Sequence, residues 1–171
     1  MEVHGLSSYD AEVLTSSREM AEYFENVLSE APSHAKLCAN WVTGELQATL
    51  NKESLSIDLA PVSPRMLGLL VKRIADRTIS GNIAKKVFDA LWIDGGNVDD
   101  IIESKNLKQV TDTGAIESLV DQAIADNPEQ IEQLKAGKTK VLGFLVGQVM
   151  KRSGGKADPK QVNELLRKKT Q

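Results

Sequence analysis

Apolar residues recur every three or four positions along most of the chain, which is the spacing of one face of an α-helix. The clearest apolar faces consist of Met20, Phe24, Val27 and Leu28, of Met66, Leu67, Leu70 and Ile74, and of Ile116, Leu119, Val120, Ala123 and Ile124. No segment alternates apolar and polar residues with the period of two that half-buried strands show. The pattern therefore predicts the all-α fold class.

Residues that begin or end helices divide this pattern into elements. Ser17, Ser63 and Ser80 each stand before an apolar face, where a serine side chain can accept a hydrogen bond from a backbone amide of the first turn. Further start signals are Ser7 or Ser8, Pro32–Ser33, Asn127–Pro128 and Asp158–Pro159. Between them, one helix is predicted to carry the apolar face from Leu37 to Leu50, and a short acidic helix is predicted over 98–104.

A polar stretch over residues 105–113 separates two sets of predicted helices. Few contacts need cross such a stretch, and domain boundaries usually fall in one. We therefore expect a helical domain over residues 1–107, followed by a small helical tail domain over residues 108–171.

Composition narrows the class of protein further. At 171 residues the chain is long enough to bury a core without a disulfide or a metal, and its single cysteine, Cys38, excludes an internal disulfide and a multi-cysteine zinc site. No apolar run reaches the roughly 18 residues of a membrane span, and residues 1–10 lack the pattern of a secretory signal. A cytoplasmic protein without a membrane partner is expected.

Charge is distributed unevenly along the chain. Residues 135–171 contain ten basic and two acidic residues, whereas residues 1–134 contain 11 basic and 22 acidic ones. A basic end on an acidic body suggests a polyanionic partner such as a nucleic acid for that end. The alternative explanation, a solvated lysine-rich tail, stays open on charge alone.

The helix predicted over residues 138–152 offers the most specific candidate site. Lys140, Gly143, Gly147 and Lys151 fall on nearly one face of it, so two lysines flank a stripe without side chains. Glycine costs about 1 kcal/mol relative to alanine inside a helix, which suggests close approach of either a neighbouring helix or a phosphodiester backbone. The residues predicted to bind nucleic acid are Lys138, Lys140, Gly143, Gly147, Lys151, Arg152, Lys156 and Lys160.

The form of nucleic acid follows from the scarcity of aromatic residues. Phe144 is the only aromatic residue after residue 134, which does not make a stacking platform for a single strand. A structured RNA that is recognised by its backbone and shape fits better than a single strand recognised by its sequence.

Catalytic patterns in the sequence are weak. His34 and Cys38 lie four residues apart and would share a helix face, yet no third ligand or orienting acid accompanies them. Asp99, Asp100 and Glu103 cluster at a helix start, where carboxylates suit the helix dipole. The sequence therefore predicts no catalytic, cofactor-binding or metal-binding residue, and an independent enzyme is the weakest hypothesis.

Seven short segments resemble one known family. They are GLSSYDAEVLTSS at 5–17, ANWVTGEL at 39–46, PVSP at 61–64, TISGNIAK at 78–85, LGFLVGQVMK at 142–151, GKADP at 155–159 and VNELL at 162–166. In this order they resemble the C-terminal region of the B subunit of the aspartyl/glutamyl-tRNA amidotransferase, and the segments from 142 onward also resemble the standalone YqeY-like proteins. Asn82 stands where the family usually has lysine, and Cys38 where it usually has alanine.

The resemblance implies a function that composition does not. Together with the A and C subunits, the parent protein converts Asp-tRNA(Asn) or Glu-tRNA(Gln) to the amidated form, using ATP, Mg²⁺ and ammonia released from glutamine. The chain resembles only the part after the catalytic domain, so it is expected to be a non-catalytic fragment without a cofactor of its own. The YqeY-like tail is expected to dock on the outer corner of the tRNA and to help select it by shape.

A hypothesis from a different class concerns the acidic first domain. That domain could contact other amidotransferase subunits or a synthetase rather than RNA, which would make the chain a protein-interaction module. In that case binding would map to residues 9–104 and not to the tail.

Overall fold

The structure is a computed structural model that describes residues 6–110 and 113–170. The beginning of the matched segment at Gly5 and part of the predicted linker, residues 111 and 112, lie outside these ranges. Within them the chain is helical, with no strand and one isolated bridge between Val110 and Ala157. The predicted all-α fold class is therefore confirmed. The chain divides into two units, Met1–Leu107 and Lys108–Gln171.

The first unit consists of short helices that follow one another closely. They are α1 (Ser8–Leu14), α2 (Arg18–Glu30), α3 (Ala35–Trp41), α4 (Gln47–Glu53), α5 (Pro64–Ala75), α6 (Gly81–Asp94) and α7 (Val98–Ser104). Two 3₁₀ turns, Pro32–His34 and Ile57–Leu59, join some of them. The acidic helix predicted over residues 98–104 has the bounds of α7.

Serine side chains cap the helices where the sequence predicted them. The hydroxyl oxygens of Ser17, Ser63 and Ser80 accept hydrogen bonds from the backbone amides three residues later, at 3.1, 3.3 and 3.3 Å. Ser7, rather than Ser8, caps α1 and forms a reciprocal capping box with Asp10. Each bond satisfies an amide that the first helical turn leaves without a partner.

The core of the first unit is built mainly where α2 packs against α5 and where α6 brings in aromatic residues. Phe88 on α6 lies between Trp41 and Trp92, with ring centroids 6.1 and 5.7 Å away in tilted arrangements. The Tyr23 hydroxyl donates a hydrogen bond to the Val62 carbonyl at 2.6 Å, so this buried ring leaves no polar atom unpaired.

One predicted helix of this unit is interrupted. The apolar face from Leu37 to Leu50 lies on α3, on a π-helical turn over Val42–Leu46 and on α4, rather than on one regular helix. Hydrophobic spacing does not reveal a single widened turn, which is why the sequence pattern missed it. Within that turn, Glu45 forms an ion pair with Lys85 of α6 at 2.5 Å, which joins two of the segments that carry the family resemblance.

The second unit contains four helices around its own core. They are α8 (Thr113–Ala125), α9 (Pro128–Lys135), α10 (Lys140–Arg152) and α11 (Pro159–Thr170). The fully buried side chains Ile116, Leu145 and Leu166 come from three different helices and meet in this core. The Val110 amide donates to the Lys156 carbonyl at 2.8 Å, which fixes the start of the unit beside the turn after α10.

The predicted start of α9 is confirmed, with one difference at its cap residue. Asn127 precedes α9 as expected, and Pro128 is its first residue, yet the Asn127 side chain makes no capping bond. Its Nδ2 instead donates to the Ala123 carbonyl at 2.8 Å. The side chain therefore pairs with a carbonyl at the end of α8 that has no partner within the helix. This hydrogen bond competes with capping of α9, because the carbonyl and the first amides of α9 both lie within reach of the side chain.

Candidate nucleic-acid interface

Helix α10 has one face in the core of the second unit and the opposite face in solvent. Leu142, Leu145 and Val149 point inward and are buried. The residues on the opposite side of the helix point outward and form what we call the α10 face: Lys140, Gly143, Phe144, Gly147 and Lys151, all exposed. The predicted juxtaposition of two lysines and two glycines is therefore present, and it follows from the helical period and the buried residues alone.

The two glycines of the α10 face are open. Apart from its chain neighbours and its own helix backbone, a Cβ atom built on Gly143 or Gly147 would meet no atom within 4 Å, and both residues have ordinary helical backbones. By contrast, a Cβ on Gly68 of α5 would lie 2.6 Å from the Cβ of Glu30. Close packing of a neighbouring helix, which was one of the two explanations for the glycine stripe, is thus found at Gly68. In the described residues no neighbouring helix packs on Gly143 or Gly147.

The predicted cations differ in how free they are. Lys138, Lys140, Lys151 and Lys160 are exposed, and none of them forms an ion pair with a described residue. Arg152 instead donates to Asp126 at 2.7 Å, with its side chain 29% exposed. Lys156 is half-buried in the turn after α10. Each of the four lysines is therefore an available charge, whereas the charge of Arg152 is partly compensated.

The remaining basic residues of α11 are partly engaged inside the unit. Lys169 reaches Asp121 at 2.5 Å and Glu117 at 2.8 Å, and these hydrogen bonds, the one to Asp121 foremost, raise the pKa of its ammonium group. Arg167 donates to the Asn163 side chain at 2.9 Å. The ion pairs of Arg152 and Lys169 thus make the formal excess of basic residues larger than the charge that a partner would meet, whereas the bond from Arg167 to a neutral amide leaves its charge uncompensated.

Sequence reasoning missed Phe144 as part of this surface. Its ring is 46% exposed, and it lies on the same outward face as the two glycines. Its spacing from Lys140, four residues, and from Lys151, seven residues, would have placed it there. The scarcity of aromatic residues in the tail hid this signal, because it excluded a platform of several rings but not a single ring.

The weak catalytic candidates do not come together as a site. Cys38 is fully buried, its Sγ lies 3.9 Å from the Ala31 carbonyl, and burial raises the pKa of its thiol to about 11. His34 is exposed in the 3₁₀ turn. Asp99 accepts two hydrogen bonds from Arg73 at 2.6 and 2.8 Å, an ion pair that ties α7 to α5.

The residues that the structure describes also lack the features of a metal site and of a membrane span. No group of three or more histidine, cysteine, aspartate or glutamate side chains among them could hold a metal ion. None of their helices combines the length and apolar character needed to cross a membrane.

The fold and the site define an all-α protein whose small second unit presents a cationic helix face. The chain matches the GatB domain family over residues 22–170 and belongs to that family. It is 58% identical over 168 residues to the aspartyl/glutamyl-tRNA(Asn/Gln) amidotransferase B subunit of Thioalkalivibrio sulfidiphilus, and 60% identical over 171 residues to the protein of the same name from Azotobacter vinelandii. These matches cover 98% and 97% of the chain, which itself spans 35% of each relative's length.

Proposed function

We propose that this chain is the tRNA-recognition portion of the B subunit of an Asp/Glu-tRNA amidotransferase. The α10 face carries the proposal, because it combines unpaired lysines with an open stripe in a family whose relatives are named for a tRNA amidotransferase. The lysines would neutralise phosphates near the outer corner of the tRNA. The glycines would let the RNA backbone approach the helix closely.

Electrostatics favours a polyanion such as RNA for this face. Helix α10 contains no acidic residue, and the exposed Lys138 lies two residues before its start. Phosphate binding by such a surface releases counterions, so affinity should fall steeply with salt, by roughly 0.9 logarithmic units per phosphate for each tenfold rise in salt. Positioning through phosphates also suits recognition by shape, since phosphate contacts fix orientation without reading sequence.

The activity of the whole complex is part of the same proposal. With the A and C subunits, the parent protein would amidate Asp-tRNA(Asn) or Glu-tRNA(Gln) in the cytoplasm, using glutamine, ATP and Mg²⁺. We assign ATP and Mg²⁺ to the part of the relatives that this chain does not span. The role of this chain is then to hold the tRNA, and no chemical step is assigned to its residues.

The test is a titration of intact tRNA with the 171-residue chain over a salt series. A variant with Lys140, Lys151 and Arg152 replaced by Gln is compared with a control in which Lys52, Lys72 and Lys86, exposed lysines of the first unit, are replaced by Gln. Both variants lose three positive charges. We expect the first to bind more weakly with a shallower salt dependence, and the control to bind like the unmodified chain.

Three results would contradict the proposal. The first is unchanged affinity in the tail variant, and the second is an equal loss in both variants, which would reduce the effect to net charge. The third is no tRNA binding by the unmodified chain even at low salt. In that case the first unit would be tested against the A and C subunits as a protein-interaction module.

A further inference from the structure

Phe144 lies outside the core of the second unit, on the side of α10 that faces solvent. It is the one large apolar side chain that is exposed among the described residues of this unit, whereas the others of the chain, Tyr9, Leu59 and Ile93, belong to the first unit. The inward side of α10 is already filled by Leu142, Leu145 and Val149. The ring therefore contributes area to the outward surface rather than to the core.

A single exposed aromatic residue is ordinary on a protein surface, so its surroundings decide its meaning. Phe144 lies between Lys140 and Lys151, which are separated by about 16 Å along the helix axis. The neighbouring Gly143 and Gly147 leave the helix surface on one side of the ring without side chains, and a Cβ atom at either glycine would meet nothing within 4 Å from the rest of the unit. The result is one accessible aromatic ring in the middle of a cationic face.

We propose that the Phe144 ring stacks on one exposed base of the structured RNA that the α10 face binds, while Lys140 and Lys151 hold phosphates on either side. This inference rests on the proposed function and adds a base contact to it. Charge complementarity favours a polyanion, because α10 has no acidic residue and carries exposed lysines at both ends. Among polyanions we commit to structured RNA, because the relatives of this chain are named for a tRNA amidotransferase. Structured RNA offers such bases at its loops and corners, where they leave the helical stack and meet aromatic side chains.

The stacking contact would make the chain bind folded tRNA differently from a blunt RNA duplex. A blunt A-form duplex presents phosphates along its length, so the lysines would bind it, but its bases are stacked and covered. Phe144→Leu keeps an apolar side chain of similar size and removes the aromatic face. Base stacking on an aromatic residue predicts a loss of about 5- to 150-fold in affinity for tRNA upon this change.

The experiment measures the affinities of four chains for intact tRNA and for a blunt RNA duplex over a salt series. The chains are the unmodified protein, Phe144→Leu, Phe144→Trp and, as a matched control, Tyr9→Leu, which removes an exposed aromatic residue of the first unit. We expect Phe144→Leu to bind tRNA more weakly with an unchanged salt slope and to bind the duplex normally. Phe144→Trp should retain tRNA binding, Tyr9→Leu should change neither affinity, and thermal melts of all four should agree.

The outcomes distinguish this inference from the proposed function. If Phe144→Leu binds tRNA as tightly as the unmodified chain, stacking is refuted while the phosphate contacts stand. An equal loss on tRNA and duplex also refutes stacking on an exposed base of folded tRNA, because the duplex exposes base faces only at its two ends. If the unmodified chain shows no salt-dependent tRNA binding at all, the proposed function fails, and this inference fails with it.

Discussion

Two helical glycines in opposite environments give a sharp test of the α10 face. Replacing Gly147 by Ala gains about 1 kcal/mol of helix propensity, and nothing within 4 Å opposes the new methyl group. Replacing Gly68 by Ala offers the same gain. There, however, the methyl carbon would lie 2.6 Å from the Glu30 Cβ and 2.8 Å from the Val27 carbonyl oxygen, in the packed contact between α2 and α5.

The two substitutions should therefore change stability in opposite directions. Gly147→Ala should raise the free energy of unfolding of the second unit by about 1 kcal/mol, which corresponds to roughly 4–8 °C in Tm for a domain of this size. Gly68→Ala should lower that of the first unit, because overpacking typically costs about 1–3 kcal/mol and a backbone oxygen cannot turn aside as a flexible side chain can.

Urea unfolding with two signals measures both effects. Trp41 and Trp92 both lie in the first unit, so tryptophan fluorescence follows that unit alone, while far-ultraviolet circular dichroism follows the helices of both. A lower stability of Gly147→Ala would refute the reasoning, since it would mean that something packs on the α10 face. A gain in stability of Gly68→Ala would equally contradict the close contact between α2 and α5.

Two further predictions concern ionisable side chains in the first unit. Hydrogen bonds from Lys36 and then Ser7 lower the pKa of Asp10 from 3.8 to about 2, so the stability that they provide should be complete above about pH 4 and should disappear as the pH falls toward 2. Acid titrations of unfolding should show this loss in the unmodified chain and a smaller one in Asp10→Asn; equal pH dependence in both would contradict the assignment. The Cys38 thiol, buried and with a pKa of about 11, should resist iodoacetamide at about pH 8 and react fully in urea, as mass spectrometry would show; labelling of the folded chain at the unfolded rate would contradict its burial.

Local signals predicted most of the fold. A serine before an apolar face marks a helix start because the hydrogen bond it makes spans only three residues, and the structure confirms this at Ser17, Ser63 and Ser80. At Asn127 the predicted helix start is confirmed, but the side chain bonds back to the Ala123 carbonyl instead of to an amide of α9. The prediction failed at Val42–Leu46, where one extra residue in a turn leaves the apolar period nearly unchanged.

The candidate site was predictable in outline but not in its available charge. The helical period places Lys140, Gly143, Gly147 and Lys151 on one face without any structure. Which cations are already paired depends on contacts between distant residues: Arg152 meets a carboxylate 26 positions away, and Lys169 meets one 48 positions away. Such pairs depend on how helices pack, which a count of charges cannot supply.

The bare stripe of α10 has a consequence for the entropy of binding. Immobilising a lysine side chain at an interface costs roughly 0.5–1.5 kcal/mol in lost rotamer freedom, whereas a glycine has no rotamers to lose. A rigid partner that binds over Gly143 and Gly147 would therefore contact a backbone whose conformation the helix has already fixed. Nearly all of the conformational entropy lost by this surface on binding would come from the charged side chains, which lie only at the ends of the stripe.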